Sequence, residues 1–380
     1  MSLKRKTILI APNSFKECAD SAEIANLIDE NLTELSNYNL IKKPISDGGD
    51  GFLEVCKNNY GLKIKKYDIS TPFDNTKFTC EIGYNEKKRR VYIESANVLG
   101  LKVIPKDKRQ PVYLSSKGLG ELLFILYNEV LEGNILLDEV VIGIGGTGTN
   151  DLGLGMCSHF GLKIFDNMNH ELGIIPKNFY NAEKIFWDKT ILPFKIKVIT
   201  DVDNPLLGEN GATTVFGKQK GLLDKEIISI EKGFNKIYNL LEYNKLCDSS
   251  KKLSGAGGGL AAGLSIFFNA EIVQSFKFIL ELLNDIDLES IDAIITGEGA
   301  FDSQSMMKKA TGSILEIFDK KNIPVFLCSG TISDETLKNL GENVKAIQLI
   351  KYFSTKEESI RKYKVGIKSA CREIVIILGN

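Results

Sequence analysis

The stretch TILIAPNSFKECADSAEIANLIDENL, residues 7–32, decides the fold of the N-terminal part of the chain. It opens on Thr7–Ala11, a short apolar run typical of a buried strand. Asp20 and Glu23 then have the spacing of a capping box, which predicts that a helix begins there. The apolar residues that follow share one face of that helix: Ile24, Leu27, Ile28 and Leu32. A second strand is predicted at 41–45, so strand and helix signals alternate.

The same alternation returns near the C-terminus. Strands are predicted at 292–296, 324–328 and 344–350, with helices between them. Alternating strands and helices indicate a doubly wound parallel sheet. Strand ends in such sheets are where ligands bind, so the loops that follow these strands are the first places to look for a site.

The middle of the chain has a different pattern. Short strands at 67–71, 78–83 and 90–94 have hairpin spacing, which predicts an antiparallel portion. The basic run Lys87–Arg90 follows a turn-like stretch, so it is interpreted as a solvated hairpin tip.

The length of 380 residues favours two domains. We predict an α/β fold, in which a doubly wound, mostly parallel sheet domain carries a second, mixed α/β domain as an insertion. The first domain is predicted to comprise residues 1–70 and 285–380, and the inserted domain residues 71–284.

Composition excludes several classes of protein. Lys and Arg total 48 and Asp and Glu 49, so no net positive field favours a nucleic acid. Seven scattered cysteines form no C-x-x-C pair, and only two histidines are present, which argues against a zinc site or a disulfide framework. A reducing cytoplasm fits this cysteine usage. No apolar run reaches the roughly 18 residues that a membrane span needs.

The segment GIGGTG, Gly143–Gly148, follows a predicted strand and matches G-x-G-x-x-G. With a second strand at 162–165 that ends in Asp166, it resembles a dinucleotide-binding fingerprint, which would indicate an oxidoreductase. Its exposed N–H groups at a helix start could equally bind any phosphate. A third interpretation is purely structural, with glycines that allow tight packing of strand and helix.

Pairs of acids follow two other strands. Asp201 and Asp203 are two residues apart in an extended stretch, so both side chains point the same way. They could bind a divalent metal or substrate hydroxyls, or form a turn before proline. Glu298 and Asp302 lie after the strand at 292–296, where an exposed helix start would also favour acids.

Three further features join this set. Asp47 lies in the glycine-rich turn after the second strand, and Lys16 follows the first strand, where an ammonium could contact phosphate. The run Gly255–Gly263 is either an anion-binding helix start or a closely packed helix of small residues. No G-x-x-x-x-G-K-[ST] sequence occurs, which excludes a P-loop enzyme.

Taken together, these segments resemble the bacterial glycerate kinase family of the two-domain type. Six stretches carry the resemblance, in the family's order: APNSFKECADSAEIANLI (11–28), PISDGGDGFLEV (44–55), VVIGIGGTGTNDLGLGM (140–156), ITDVDNPLLGENGATTVFGKQKG (199–221), SGAGGGLAAGL (254–264) and IITGEGAFDSQS (294–305). The blocks TDVDNPLLG…FGKQKG and GEG…DSQ are the most specific of them. Residues beyond 305 add little to the resemblance.

The resemblance implies two α/β domains, with D-glycerate and MgATP meeting in the cleft between them and 2-phosphoglycerate as the product. It also implies that GIGGTG is part of a kinase site rather than a dinucleotide-binding fingerprint. Two rivals remain: an NAD(P)-dependent oxidoreductase that uses the GIGGTG loop, and a sugar-acid sensor of the same fold without turnover. No nucleic-acid or membrane partner is expected, and a homodimer is left open.

Site residues are assigned by matching motif positions, with roles chosen on physical grounds. The expected catalytic residues are Lys16, Asp47, Asp201 and Asp203. Substrate or nucleotide contacts are expected from Ser14, Gly48, Gly49, Gly145, Gly146, Thr147, Asn150, Asp151, Asn204, Gly257, Gly258 and Ser303. Mg²⁺ is expected at Glu298 and Asp302.

This chain departs from the family's pattern at four positions. Asn13 stands where the family often has Asp, and Ala300 where it usually has Arg. Asp50 replaces a usual Glu, and Leu152 a usual Gly. The first two leave room for a shifted substrate preference or weaker activity.

Overall fold

The structure is a computed structural model that describes residues 5–35, 38–74, 76–248, 250, 252–306, 309–319, 321 and 323–379. The chain divides into two compact units. Unit 1 comprises residues 1–61 and 274–380, and unit 2 comprises residues 62–273. Unit 2 is thus an insertion within the sequence of unit 1.

The strands, in chain order, are β1 (Thr7–Ile10), β2 (Asn39–Lys42), β3 (Lys63–Ser70), β4 (Lys77–Asn85), β5 (Arg90–Glu94), β6 (Glu139–Gly143), β7 (Lys163–Phe165), β8 (Glu171–Leu172), β9 (Lys184–Phe186), β10 (Lys195–Thr200), β11 (Glu271–Gln274), β12 (Ala293–Thr296), β13 (Ala300–Phe301), β14 (Val325–Ser329), β15 (Thr331–Ile332) and β16 (Val344–Gln348).

The α-helices are α1 (Ser21–Leu35), α2 (Phe52–Tyr60), α3 (Ala96–Leu99), α4 (Lys117–Leu131), α5 (Leu154–Cys157), α6 (Pro176–Phe179), α7 (Ala212–Phe216), α8 (Asp224–Tyr243), α9 (Leu260–Phe268), α10 (Ser275–Leu282), α11 (Ser303–Met306), α12 (Ala310–Asp319), α13 (Asp334–Lys338), α14 (Lys356–Arg361) and α15 (Tyr363–Gly379). Short 3₁₀ turns occur at Lys106–Lys108, Pro111–Tyr113, Ser158–Phe160, Lys218–Lys220, Leu288–Ser290 and Leu349–Tyr352.

Unit 1 is built on a five-stranded sheet in the order β16-β14-β12-β1-β2. Every recorded pairing in it is parallel, which confirms the predicted doubly wound sheet. Its central strands β1, β12 and β14 are buried along their whole length, as expected for strands covered by helices on both faces. The second strand ends at Lys42, earlier than predicted, but Ile45 stays buried and its N–H donates to the carbonyl oxygen of Pro12.

Unit 2 contains a six-stranded mixed sheet in the order β11-β10-β6-β5-β4-β3. β5, β6 and β10 pair in parallel, whereas β3, β4 and β5 form an antiparallel meander. The predicted antiparallel portion is therefore confirmed, and Lys87–Arg89 form the turn that joins β4 to β5. A separate three-stranded sheet, in the order β8-β7-β9, completes the unit.

Each unit has its own apolar core. In unit 1, one face of α1 packs with α15 around Ile24, Ile28 and Ile374, as the helical periodicity predicted for α1. In unit 2, α4 covers the mixed sheet through residues such as Leu122 and Leu126. Across the described ranges, no helix is both long enough and apolar enough to cross a membrane.

Candidate active site

A cavity of about 390 Å³ lies in unit 1, lined by the loops that follow the carboxyl ends of β1 and β12. Between these two strands the order of the parallel sheet reverses direction, since β2 lies beyond β1 and β14 beyond β12. Such a switch point is where open α/β sheets bind ligands, because the two loops diverge and leave a crevice. The charged side chains that line the cavity are Lys16, Glu17, Asp47, Glu298, Asp302, Lys309 and Lys356.

The loop after β1 is a tight turn that presents Lys16 to this cavity. The N–H of Phe15 donates to the carbonyl oxygen of Ala19, and the N–H of Cys18 donates to that of Phe15. Glu17, at the apex, has a φ of 69°, an uncommon left-handed conformation for a residue with a side chain. Lys16 itself is exposed, and no ion pair is recorded for it in the part of the chain that the structure describes.

The loop after β12 places a buried carboxylate at the base of the cavity. Glu298 is 8% exposed, and its Oε2 accepts hydrogen bonds from Asn13 Nδ2 at 3.4 Å and Thr311 Oγ1 at 3.2 Å. Burial raises the pKa of Glu298, and the charge of Asp47 adds to that rise, whereas the hydrogen bonds from Ser305, Asn13 and Thr311 lower it. A carboxylate held in this way favours a proton or a cation beside it.

The other predicted residues of unit 1 have more local roles. Asp47 lines the cavity and its Oδ1 accepts the N–H of Gly49, which closes the turn that contains Gly48. Asp302 Oδ1 accepts the N–H of Ser305, and this backbone hydrogen bond is the main cause of the lowered pKa of Asp302. Asp302 therefore caps α11, as the alternative interpretation of the pair of acids anticipated.

The structure thus brings five of the predicted unit 1 residues to one cavity. These are Ser14, Lys16, Asp47, Glu298 and Asp302. Gly48, Gly49 and Ser303 are not among the residues that line it, although Gly48 is next to Asp47 and Ser303 is next to Asp302, which do.

In unit 2, three glycine-bearing loops meet at the carboxyl edge of the parallel strands. The loop after β6 contains Gly145 and Gly146, and the loop after β10 contains Asp201, Asp203 and Asn204. Their contacts to the glycine-rich segment before α9 bring the predicted unit 2 residues into one neighbourhood: Leu152 N–H donates to the carbonyl oxygen of Gly258, and Gly255 N–H donates to that of Asn204.

Two of the predicted ligand contacts are instead bonded inside the protein. The Thr147 hydroxyl donates to the carbonyl oxygen of Ile144 and lies 2.7 Å from the Ser95 hydroxyl. Asp151 is fully buried, and its oxygens accept hydrogen bonds from Ser116 and Gly155, so it fixes the starts of α4 and α5. Burial raises the pKa of Asp151, and these hydrogen bonds oppose the rise.

Two neighbouring side chains behave differently. Asn150 Oδ1 and Thr149 Oγ1 are buried, and neither has a hydrogen-bond partner among the described residues. Asn150 Oδ1 lies beside Gly258, whose φ of 70° is in the left-handed region that favours glycine. A polar atom that is buried without a partner inside the protein is a candidate for a ligand contact.

Lys220 was not identified from the sequence, although it lies within the FGKQKG block. Its Nζ donates to the carbonyl oxygen of Thr149 at 2.6 Å. Burial lowers the pKa of Lys220 to about 7, and the charge of Asp151 opposes that shift. Lys309 and Lys356 in the unit 1 cavity were also missed, because nothing in the linear sequence places isolated lysines next to a loop far away in the chain.

The oxidoreductase interpretation of GIGGTG is contradicted by the topology. A dinucleotide fold requires the strand after the glycine loop to join the same parallel sheet. β7 instead lies in the separate three-stranded sheet, antiparallel to both β8 and β9. Asp166, the acid of the supposed fingerprint, accepts the N–H groups of Met168 and His170 in the turn between β7 and β8.

Comparison with known proteins agrees with the sequence motifs. The model of the Glycerate kinase family matches residues 8–379. A glycerate kinase from Halalkalibacterium halodurans is 29% identical, over 98% of each chain. A glycerate 2-kinase from Escherichia coli is 29% identical, over 98% of this chain and 97% of its own. A solved structure from Salmonella typhimurium LT2, assigned as a glycerate kinase 2, has a TM-score of 0.78 and 26% identity, over 98% of each chain. The chain therefore belongs to the glycerate kinase family.

Proposed function

We propose that this enzyme transfers the terminal phosphoryl group of ATP to D-glycerate in the presence of Mg²⁺, with 2-phosphoglycerate as the product. The observation that carries the proposal is the unit 1 cavity, where lysines and carboxylates converge at the switch point of the parallel sheet. Phosphoryl transfer needs mainly positioning and neutralisation of charge, which this set of groups can supply. The name of the Escherichia coli relative, glycerate 2-kinase, supports phosphorylation at the 2-hydroxyl.

The cavity has donors suited to Mg²⁺. In the described ranges, no group of three or more His, Cys, Asp or Glu residues is arranged so that it could hold a metal ion. Mg²⁺ does not require one, because it usually takes one or two carboxylates and completes its shell with phosphate oxygens and water. We assign Mg²⁺ to Glu298, because burial and the charge of Asp47 raise the pKa of this carboxyl group and a cation beside it would stabilise its charged form. When bound, Mg²⁺ would neutralise charge on the phosphates.

The remaining roles follow from position and chemistry. Lys16 is assigned to the phosphate groups, because its ammonium is exposed at the cavity. The base that accepts the hydroxyl proton is assigned to one of Asp47, Asp201 and Asp203. Asp302 is no longer needed as a ligand, since it caps α11.

A coupled assay of ADP release tests the proposal. We expect release only when D-glycerate and Mg²⁺ are both present. Equal release without D-glycerate would contradict the assignment of the acceptor. D-glycerate binding without any release of ADP would favour the sugar-acid sensor instead.

A further inference from the structure

Lys220 is a cation held at the glycine-rich loops of unit 2 without a paired anion. It lies at the end of the 3₁₀ turn Lys218–Lys220, and its side chain is half-buried. Its single recorded hydrogen bond, to the carbonyl oxygen of Thr149, uses one of three N–H donors. In the described part of the chain no carboxylate lies within ion-pair distance of it. The charge of Asp151 acts on Lys220, but its oxygens already accept hydrogen bonds from Ser116 and Gly155.

An acceptor oxygen lies beside this ammonium. Asn150 Nδ2 donates to Thr213 Oγ1 at 3.0 Å, and the Thr213 hydroxyl in turn hydrogen-bonds the Glu231 carboxylate. Because a carboxylate accepts, the Thr213 hydrogen points to Glu231, and its oxygen is left to accept from Asn150. This fixes the orientation of the Asn150 amide, and its unpartnered Oδ1 therefore faces away from Thr213.

The ammonium and the amide oxygen converge on the same small space. A Cβ built on Gly258 would lie 2.6 Å from Lys220 Nζ and 2.8 Å from Asn150 Oδ1. A side chain at this position would therefore clash with both groups, and glycine avoids that clash. α9 begins two residues later, at Leu260, so the partial positive charge of its N-terminus lies on the same side as the loop.

We propose that Lys220 and Asn150 form a subsite on unit 2 for a 2-hydroxy acid, in which the ammonium binds the carboxylate and Asn150 Oδ1 accepts a hydrogen bond from a hydroxyl. The inference rests on the proposed function and assigns the group that recognises glycerate. A phosphate dianion carries no hydrogen to donate, so the amide oxygen would repel it. A hydroxy acid supplies both an anion and a donor, which matches the two groups on the protein.

Steady-state kinetics of Lys220→Met tests this assignment. The substitution keeps an unbranched side chain of nearly the same length and removes its charge. We expect the KM for D-glycerate to rise by roughly 10- to 100-fold, as for loss of one charge-assisted hydrogen bond, with the KM for ATP within about twofold of wild type. Lys218→Met is the matched control, because Lys218 lies on the same turn but is exposed and pairs with Asp224 at 2.8 Å. We expect it to leave both values unchanged.

The outcomes separate the subsite from the proposed function. A rise in the KM for ATP alone would make this a phosphate site, and unchanged values for both substrates would remove Lys220 from binding; either result overturns the subsite. Failure of the wild-type enzyme to release ADP with D-glycerate would instead contradict the proposed function.

Competition on the wild-type enzyme tests the same inference without a folding risk. D-lactate retains the carboxylate and the 2-hydroxyl, whereas propionate lacks the hydroxyl and glycerol lacks the carboxylate. We expect D-lactate to compete with D-glycerate at least about tenfold more strongly than either of the others. Propionate as effective as D-lactate would show that the Asn150 oxygen plays no part, and that result would overturn the proposal.

Discussion

The cavity of unit 1 and the glycine-rich loops of unit 2 both lie at the carboxyl edges of parallel strands, but they use their polar groups differently. In unit 1, Lys16 and Asp47 border a cavity and Glu298 is buried at its base. In unit 2, most of the polar groups that the motif supplies are already bonded within the protein, Asp151 and Thr147 above all. Matching a family motif therefore does not by itself distinguish a residue that contacts a ligand from one that holds the loop in place.

The largest effect that we expect comes from the catalytic base. Among Asp47→Asn, Asp201→Asn and Asp203→Asn, the variant that removes the base should lower kcat by roughly 10²–10⁴, because the amide keeps the shape and loses the basicity. A loss at Asp47 would place the base in unit 1, and a loss at Asp201 or Asp203 would place it in unit 2. Near-wild-type kcat in all three would show that the base lies elsewhere.

Lys16→Ala should have the next largest effect. If the ammonium meets charge that grows in the transition state, kcat should fall by about 10²–10³. A rise in the KM for ATP with unchanged kcat would mean that Lys16 binds only the ground state. Lys57→Ala is a matched control in the same unit, since Lys57 is exposed and pairs with Glu54 at 3.1 Å.

The pH dependence of glycerate binding tests the part that unit 2 plays through Lys220. Burial gives Lys220 a pKa of about 7, so its charged form is lost as the pH rises through that value. The KM for D-glycerate should then rise with pH, by up to about tenfold per unit. Asp151 is the charged group recorded beside Lys220 in the described chain, and it is present in every variant. Lys220→Arg keeps its charge and should flatten the profile; a rise of equal slope in that variant would contradict the account.

The smallest effect that we expect is the change in the free energy of unfolding caused by Glu298→Gln, and the sign of this change is informative. Since burial raises the pKa of Glu298, the folded state binds this proton more tightly than the unfolded state does. The free energy of unfolding therefore falls as the pH rises above the ordinary value of the carboxyl group. At neutral pH the amide should increase the free energy of unfolding by roughly 0.5–2 kcal/mol while it raises the Mg²⁺ concentration needed for activity. Thermal melting and a magnesium titration measure the two effects, and a lower melting temperature would contradict the cost assigned to the buried charge.

Much of the architecture was predictable because it depends on local periodicity. The capping box at Asp20 and the apolar face of α1 predicted the first helix, and the apolar strands of unit 1 predicted its parallel sheet. The sequence did not predict which sheet the strand after GIGGTG joins, because the pairing of β7 with β8 and β9 depends on contacts that the local sequence does not encode.

The site was predictable only in part, for a related reason. Lys16 and Glu298 were expected from their places after strands, and both border the cavity. Whether Asp151 is available to a ligand depends on Ser116, whose N–H donates to its carboxylate. Ser116 lies 35 positions away and belongs to none of the motifs. Lys220 was missed since its importance comes from what it lacks, an anionic partner, and a sequence does not show that.

The position Leu152 illustrates the same point for a departure from the family's pattern. Its φ is 57°, in the left-handed region where glycine is favoured, and its side chain is fully buried. The conformation thus explains the family's preference for glycine, while burial of the leucine side chain offsets the backbone strain in this chain. Asn13, another departure, donates to Glu298 and leaves the pair with a single carboxylate.

The most direct test of the central claim is to follow one reaction of the wild-type enzyme with MgATP and D-glycerate by ³¹P NMR. We expect the γ-phosphate signal of ATP to be lost as a phosphomonoester signal appears at the same rate, with the coupling of a phosphate on the 2-oxygen of glycerate. Loss of the γ-phosphate signal to inorganic phosphate alone, or no change in the spectrum, would contradict it.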